Sequence, residues 1–357
     1  MFEQKINLDG FILSNTSSPY LVAEMSGNHN KSISRAKSLI EAAKKANANA
    51  VKIQTYTADT LTIDSERPEF KIGDGLWKGY TLHELYSSAC TPWNWHEELY
   101  AHARKIGITI FSSPFDRLAV DLLEKLQTPF YKIASPEIID LDLVDYVASK
   151  SKPIIISTGM ASSIEIKEAL DTCVNAGNRN IILLHCVSSY PTQLENTSLG
   201  NIYALKKKFK TLVGLSDHSL GINVPEIALA CGASLIEKHF TLSRVEGGVD
   251  SQFSLEEGEL TSLRIGLDQV HSSLSTVEFG PKTNEATSFK LRRSIYLIRD
   301  KKKGEVVYKE DLQSIRPSNG LKPKYLKEVI GKKAKRDLKA GVPLDIEMVE
   351  REVKVDK

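Results

Sequence analysis

Two histidines hold the most chemistry in this chain. Asp217-His218 ends one short apolar segment, Leu212–Ser219, and Lys238-His239 ends the next, Ser234–Leu242. On neighbouring parallel strands the two imidazoles would converge on one ion. Two His ligands, with room for carboxylate, water and substrate oxygens, suit Mn²⁺ or a similar divalent ion better than a closed four-ligand zinc site. Mg²⁺ and Co²⁺ can share such a site. A single strand-end His is as readily structural or catalytic, so it is the pair that points to metal. Asp217 is expected beside it as a ligand or an orienting partner.

Lys52, Lys132 and Lys238 stand at three segment ends, accompanied by Ser113, Ser135, Ser157, Ser188 and Ser216. Ammonium groups and hydroxyl donors together fit a phosphate or carboxylate, and no GxxxxGK[ST] loop is present. An anionic metabolite is expected, not a nucleotide held by a P-loop. Each lysine could instead pair with Glu24 or Glu137. A lysine Schiff base is the competing chemistry, but it needs a desolvated amine, and these lie among carboxylates and an expected cation. There is no GxSxG, HExxH or clustered CxxC. Cys186 follows His185 in an apolar segment. Adjacent strand residues face opposite sides, so the two are no dyad and Cys186 reads as core.

Eight β-branched segments must position these groups: Tyr20–Ser26, Ala50–Tyr56, Ile108–Phe115, Phe130–Glu137, Pro153–Met160, Ile181–Tyr190, Leu212–Ser219 and Ser234–Leu242. Near-continuous apolar runs indicate strands covered on both faces. Stretches between them, such as 33–47 and 162–177, space apolar residues as helices do. Strand and helix alternating eight times is an α/β pattern, the (β/α)₈ TIM barrel, whose active sites lie at the C-terminal ends of the strands. The polar residues above cluster there. The connection from Thr57 to Trp93 is long for a βα loop and reads as a partly helical excursion or as a lid over the mouth.

The formal charge of +2 hides an asymmetry. From residue 281 onward there are 21 Lys and Arg against 12 Asp and Glu, leaving 26 against 33 before it: +9 and −7. The domain reading is a barrel over 1–277, a polar linker over 278–290 and a small β-rich module over 291–357. The basic module lacks interleaved aromatics or a recognised motif, so nucleic acid is not an expected partner. No apolar run approaches the ~20 residues that span a bilayer, and no signal peptide is read. Four cysteines without paired spacing suit the reducing cytoplasm.

Several motifs taken together resemble the sialic acid synthase family of nonulosonate synthases: AEMSGNHN (23–30), KIQTY (52–56), FSSPFD (111–116), YKIAS (131–135), STGM (157–160), LSDHSLG (215–221), EKHFTL (237–242), GGVDSQFS (247–254) and LRRSIY (291–296). IRPSNGL (315–321) resembles part of a C-terminal SAF, or antifreeze-like, domain. GDGLWKGYTLHELY (73–86) and TPWNWH (91–96) look most like the pseudaminate-forming branch. The resemblance implies metal-dependent condensation of phosphoenolpyruvate with an N-acylated aldose, here 2,4-diacetamido-2,4,6-trideoxy-L-altrose, with release of phosphate. Neuraminate or legionaminate synthesis from a manno-configured sugar is the alternative, and a non-catalytic carbohydrate-binding protein a distant one.

It further implies site roles. His218 and His239 would hold the metal, and Glu24 would manage the water or a proton. Lys52, Ser113, Lys132, Ser135, Ser157, Ser188 and Ser216 would hold phosphoenolpyruvate. Gln54, Tyr190 and Asp250 would lie near the sugar, and Arg316 would reach the other barrel of a domain-swapped homodimer. Ser188 stands where the sialate branch typically has Asn.

Overall fold

Period-two alternation of side chains decides this architecture. The computed structural model describes residues 1–274 and 277–350. It opens with an antiparallel hairpin, β1 (Lys5–Leu8) and β2 (Phe11–Ser14). Eight parallel strands follow: β3 (Tyr20–Glu24), β4 (Ala50–Thr55), β5 (Thr109–Pro114), β6 (Tyr131–Ile133), β7 (Ile154–Ser157), β8 (Ile181–Cys186), β9 (Leu212–Asp217) and β10 (Leu235–His239). Each pairs with its neighbour in chain order and β10 closes on β3, so the expected TIM-like barrel forms. The hairpin was not expected. Its Asp9-Gly10 turn, with φ of 54° and 90°, is the Asp-Gly signal of a two-residue hairpin loop.

Alternate residues on each strand feed two separate cores. Leu21, Ala23, Val51, Ile53, Ile133 and Ile236 face outward and pack against the helices. Inward-facing Val22, Ala50, Phe111, Phe130, Ile155 and Leu235 fill the barrel, where Ile6, Leu8 and Leu13 of the hairpin join them as a floor. Gly214 of β9 is required by this closure, because a Cβ there would meet the Leu235 carbonyl oxygen at 2.3 Å. Helices start where side chains cap them. Ser32 accepts from Arg35 N–H ahead of the helix Ile33–Lys45, and Ser162 and Glu165 form a capping box ahead of Ser163–Asn175. No helix among the described residues is long and apolar enough to cross a membrane.

The chain divides into two compact units, Met1–Thr276 and Val277–Lys357. The stretch read as a polar linker carries a short helix, Ala286–Lys290. The second unit holds one antiparallel pair, β11 (Ser294–Leu297) and β12 (Leu312–Ile315), over a core of Ile295, Leu297, Val307, Val329, Leu338, Leu344 and Val349. Its remaining β structure is isolated bridges such as Val306–Lys333 and Ala334–Val349. Residues 351–357 of the C-terminal module lie outside the described residues.

Candidate active site

The inward parity that fills the barrel with apolar side chains turns polar at its C-terminal end. Above Val22, Ala50, Phe130, Ile155, Gly214 and Leu235 come Glu24, Lys52, Lys132, Ser157, Ser216 and Glu237, each two residues further along its strand. Register aligns them: β10 pairs His239 with Glu24, and β3 pairs Glu24 with Lys52. The Lys52 ammonium lies 3.1 Å from Glu24, 3.4 Å from Glu237 and 3.4 Å from the Ser113 hydroxyl. Lys132 stands 3.7 Å from Glu237, which also accepts from Ser216 Oγ at 3.0 Å. Gln54 Nε2 donates to Glu24 at 2.8 Å.

This cluster pushes like groups apart. Burial raises the Glu24 carboxyl above the usual range despite the pull of Lys52. Burial would raise Glu237 too, but Lys132 and Lys52 on either side outweigh it and hold Glu237 ionised. Lys52 stays fully charged between its two carboxylates, whereas burial lowers Lys132. Glu137, at the mouth beyond β6, is raised by burial to about 7, so it can carry a proton near neutrality. Ser157 Oγ and one oxygen each of Glu137 and Glu237 are buried without a hydrogen-bond partner. Buried polar atoms are normally satisfied, so these mark where a polar ligand belongs.

His218 and His239 face one another with ring centroids 5.3 Å apart. His218 Nδ1 lies 2.9 Å from the Val187 carbonyl, which can only accept. That contact places a proton on Nδ1, while the ring also hydrogen-bonds the Cys186 thiol, so a metal would take Nε2 in competition with that thiol. Burial and the surrounding cations depress His239 well below the ordinary imidazole range, and its Nδ1 is buried without a partner, 3.7 Å from Asp250. His239 is thus neutral and offers a lone pair as it stands, whereas His218, raised against its burial by the Cys186 thiol, would have to give up its second proton to a cation. Among the described residues no group of three or more His, Cys, Asp or Glu is placed to hold a metal, so further ligands would come from water or substrate.

The other expected residues are placed as follows. Ser135 Oγ accepts from Gly159 N–H at 3.1 Å, and a Cβ on Gly159 would meet the Ser188 and Ser135 hydroxyls at 2.6 and 2.7 Å. Ser135, Ser188 and the Gly159 backbone therefore form one close group. Tyr190 lies over His218 at 4.3 Å and beside Phe253 at 5.3 Å. Asp250 is buried, with its carboxyl raised by that burial against hydrogen bonds from Ser26 and Gly27. Arg316 is exposed in the second unit.

Two expectations fail on parity. Asp217 and Lys238 face outward, where Lys238 Nζ binds Asp217 at 2.5 Å and also the Ser219 carbonyl. Lys238 is no anion donor, and Asp217 orients Ser219 and Lys238 in place of a histidine ring. Cys186 is corrected in the opposite sense. It faces inward, and although burial alone would raise its thiol, His218 draws it down to about 7. Glu237 was missed, yet it lies two residues before His239 and so shares its face. The long loop is partly helical, carrying Ala58–Leu61 and Leu82–Ala89, and its Trp77 ring stands 5.5 Å from Tyr190.

Known proteins match this chain over most of its length. Residues 39–278 match the model of the NeuB family and residues 292–350 that of the SAF domain. A pseudaminic acid synthase of Helicobacter pylori is 42% identical over 93% of this chain and 98% of its own. An N,N'-diacetyllegionaminic acid synthase of Legionella pneumophila is 36% identical over 93% and 94%. The crystal structure of an N-acetylneuraminic acid synthetase from Leptospira borgpetersenii, in complex with citrate, superposes with a TM-score of 0.73 at 30% identity, covering 80% of this chain and 95% of that one. A barrel with these inward residues, matched over its length by such relatives, makes the chain a member of the NeuB family that carries a C-terminal SAF domain.

Proposed function

We propose that this chain is a pseudaminic acid synthase, condensing phosphoenolpyruvate with 2,4-diacetamido-2,4,6-trideoxy-β-L-altropyranose and water to give pseudaminic acid and phosphate. The observation that carries this reading is 42% identity to pseudaminic acid synthases over nearly the whole chain, joined to an inward ring of lysines and serines facing two histidines. The reaction joins C3 of phosphoenolpyruvate to the open-chain aldehyde carbon, adds water at C2, and loses phosphate from the tetrahedral intermediate by C–O cleavage.

In this reading Lys52, Lys132, Ser113, Ser135, Ser157, Ser188 and Ser216 bind the phosphate and carboxylate. Glu237 keeps both lysines oriented and takes no part of its own in the bond changes. Glu24, raised toward its neutral form and held by Gln54, manages the proton of the attacking water. Gln54, Tyr190 and Asp250 line the sugar. The family is metal-dependent, and a divalent ion held by His218 and His239, Mn²⁺ with Mg²⁺ or Co²⁺ accepted, would polarise the aldehyde oxygen. We place the enzyme in the cytoplasm as a domain-swapped homodimer, with Arg316 presented to the sugar in the partner subunit.

A panel of N-acyl sugars, with phosphate release and mass-spectrometric identification of the product, tests the proposal. Turnover of the 2,4-diacetamido-trideoxy sugar supports it. Turnover only of manno-configured sugars would reassign the enzyme to legionaminate or neuraminate synthesis, and none with any sugar would remove the synthase reading. Solution mass tests the dimer.

A further inference from the structure

We infer that Trp77, carried to the mouth by the 57–93 connection, is a specificity-determining residue that reads the methyl-bearing distal end of the acceptor sugar. The inference rests on the proposed condensation only for the identity of that sugar. Trp77 is anchored, since its indole N–H donates to the Val249 carbonyl at 2.9 Å. That bond ties the excursion after β4 to the segment after β10 that carries Asp250 and Phe253. Its ring stands 5.5 Å from Tyr190, and Tyr190 stands 4.3 Å from His218 and 5.3 Å from Phe253. Phe253 in turn lies 4.9 Å from His239. Three aromatic rings from three connections thus form one wall running away from the histidine pair.

Trp77 also lines a cavity of about 340 Å³ with apolar Leu76, Leu85 and Val249 and polar Ser88 and Gln252. An aldehyde held at the histidines sends the rest of its carbon chain along this wall. The wall itself is made of the ring faces of Trp77, Tyr190 and Phe253, with the polar groups of Ser88 and Gln252 across the cavity. A ring face suits a C6 methyl or an acetamido methyl better than a C6 hydroxyl, because it displaces water from the hydroxyl and returns no strong hydrogen bond. The sugar of the proposed reaction carries three methyl groups, two on its acetamido substituents and one at C6, and no hydroxyl at C6.

The test compares wild type, Trp77→Ala and Trp77→Phe as full chains. With the 6-deoxy sugar, Trp77→Ala should raise KM for sugar about 10-fold or more and leave KM for phosphoenolpyruvate within about twofold. The ratio of kcat/KM between the 6-deoxy sugar and its 6-hydroxy analogue should fall toward one, and Trp77→Phe should recover most of both. An unmoved sugar KM, a parallel rise for phosphoenolpyruvate, or an unchanged ratio would overturn the inference. Calorimetric titration of the 6-deoxy sugar without phosphoenolpyruvate separates it from the synthase reading. Binding that weakens in Trp77→Ala supports the subsite even where turnover fails, whereas equal binding, or none to wild type, removes it.

Discussion

Strand β10 carries two ion-pair clusters, one on each face, built from the same residue types with opposite consequences. Outside the barrel, Lys238 and Asp217 form a closed set: the ammonium has a carboxylate and the Ser219 carbonyl, and Asp217 also accepts from the Ser219 N–H and hydroxyl at 3.0 Å each. Inside, Lys52 pairs with Glu24 and shares Glu237 with Lys132, at 3.1–3.7 Å, and one Glu237 oxygen and the Ser157 hydroxyl remain unpartnered. Both clusters are buried. The outer one is complete as it stands, while the inner one leaves polar atoms unpaired. The two clusters differ in how completely their hydrogen bonds are satisfied, not in burial or charge.

The comparison breaks most sharply at the inner cluster. His218→Ala should lower kcat/KM at least about 10³-fold, with circular dichroism and melting behaviour close to wild type. Phosphate release checks the first part and thermal unfolding the second. The outer cluster should answer the other way. Lys238→Ala strands a buried carboxylate and should cost about 3–5 kcal/mol of stability by urea unfolding, with kcat of the folded fraction little changed. Asp217→Asn combined with Lys238→Met should recover much of that loss; no recovery would mean that the pair does more than neutralise itself.

Two pH dependences sharpen the contrast. His96 is buried beyond the barrel wall, within 2.8 Å of Thr55 Oγ1, and burial lowers it to about 4. Its folded value lies below its unfolded one, so the stability it contributes is complete above pH 6.5 and is lost as pH falls toward 4. The loss should reach about 3 kcal/mol and be absent in His96→Asn. Glu137 has the opposite sign. Its folded value of about 7 exceeds the unfolded one, so its ionisation destabilises the fold as pH rises from about 4.5 through 7. Glu137→Gln should gain about 2 kcal/mol on wild type across that window, the linkage value reduced for the group's partial exposure. A gain that is flat with pH would show that Glu137 does not titrate there.

The same parity explains what could be read from residues alone. Eight strands and their polar ends were legible because buried parallel strands are written as continuous apolar runs. Such runs hide which residues face inward, and so Lys238 and Asp217 stood beside His218 and His239 as equals. Counting back by two from each histidine finds Ser216 and Glu237 and rejects both outward residues. Cys186 was hidden differently: its contact is with His218 on the next strand, which no local pattern reports. Trp77 lies 113 residues from Tyr190 in sequence, and only the folded loop joins them.

The β1–β2 hairpin has a kinetic consequence. With Ile6, Leu8 and Leu13 packed into the barrel interior, the end opposite the proposed site is stoppered, and substrates would enter from the strands' C-terminal end. The ring of Lys52, Lys132 and Ser157 proposed for phosphoenolpyruvate sits deeper than the Tyr190–Trp77 wall proposed for the sugar. A sugar docked first would block the way down. Loading should therefore be sequential, phosphoenolpyruvate before sugar, and phosphate should depart only after the new nine-carbon acid has left by the strands' C-terminal end.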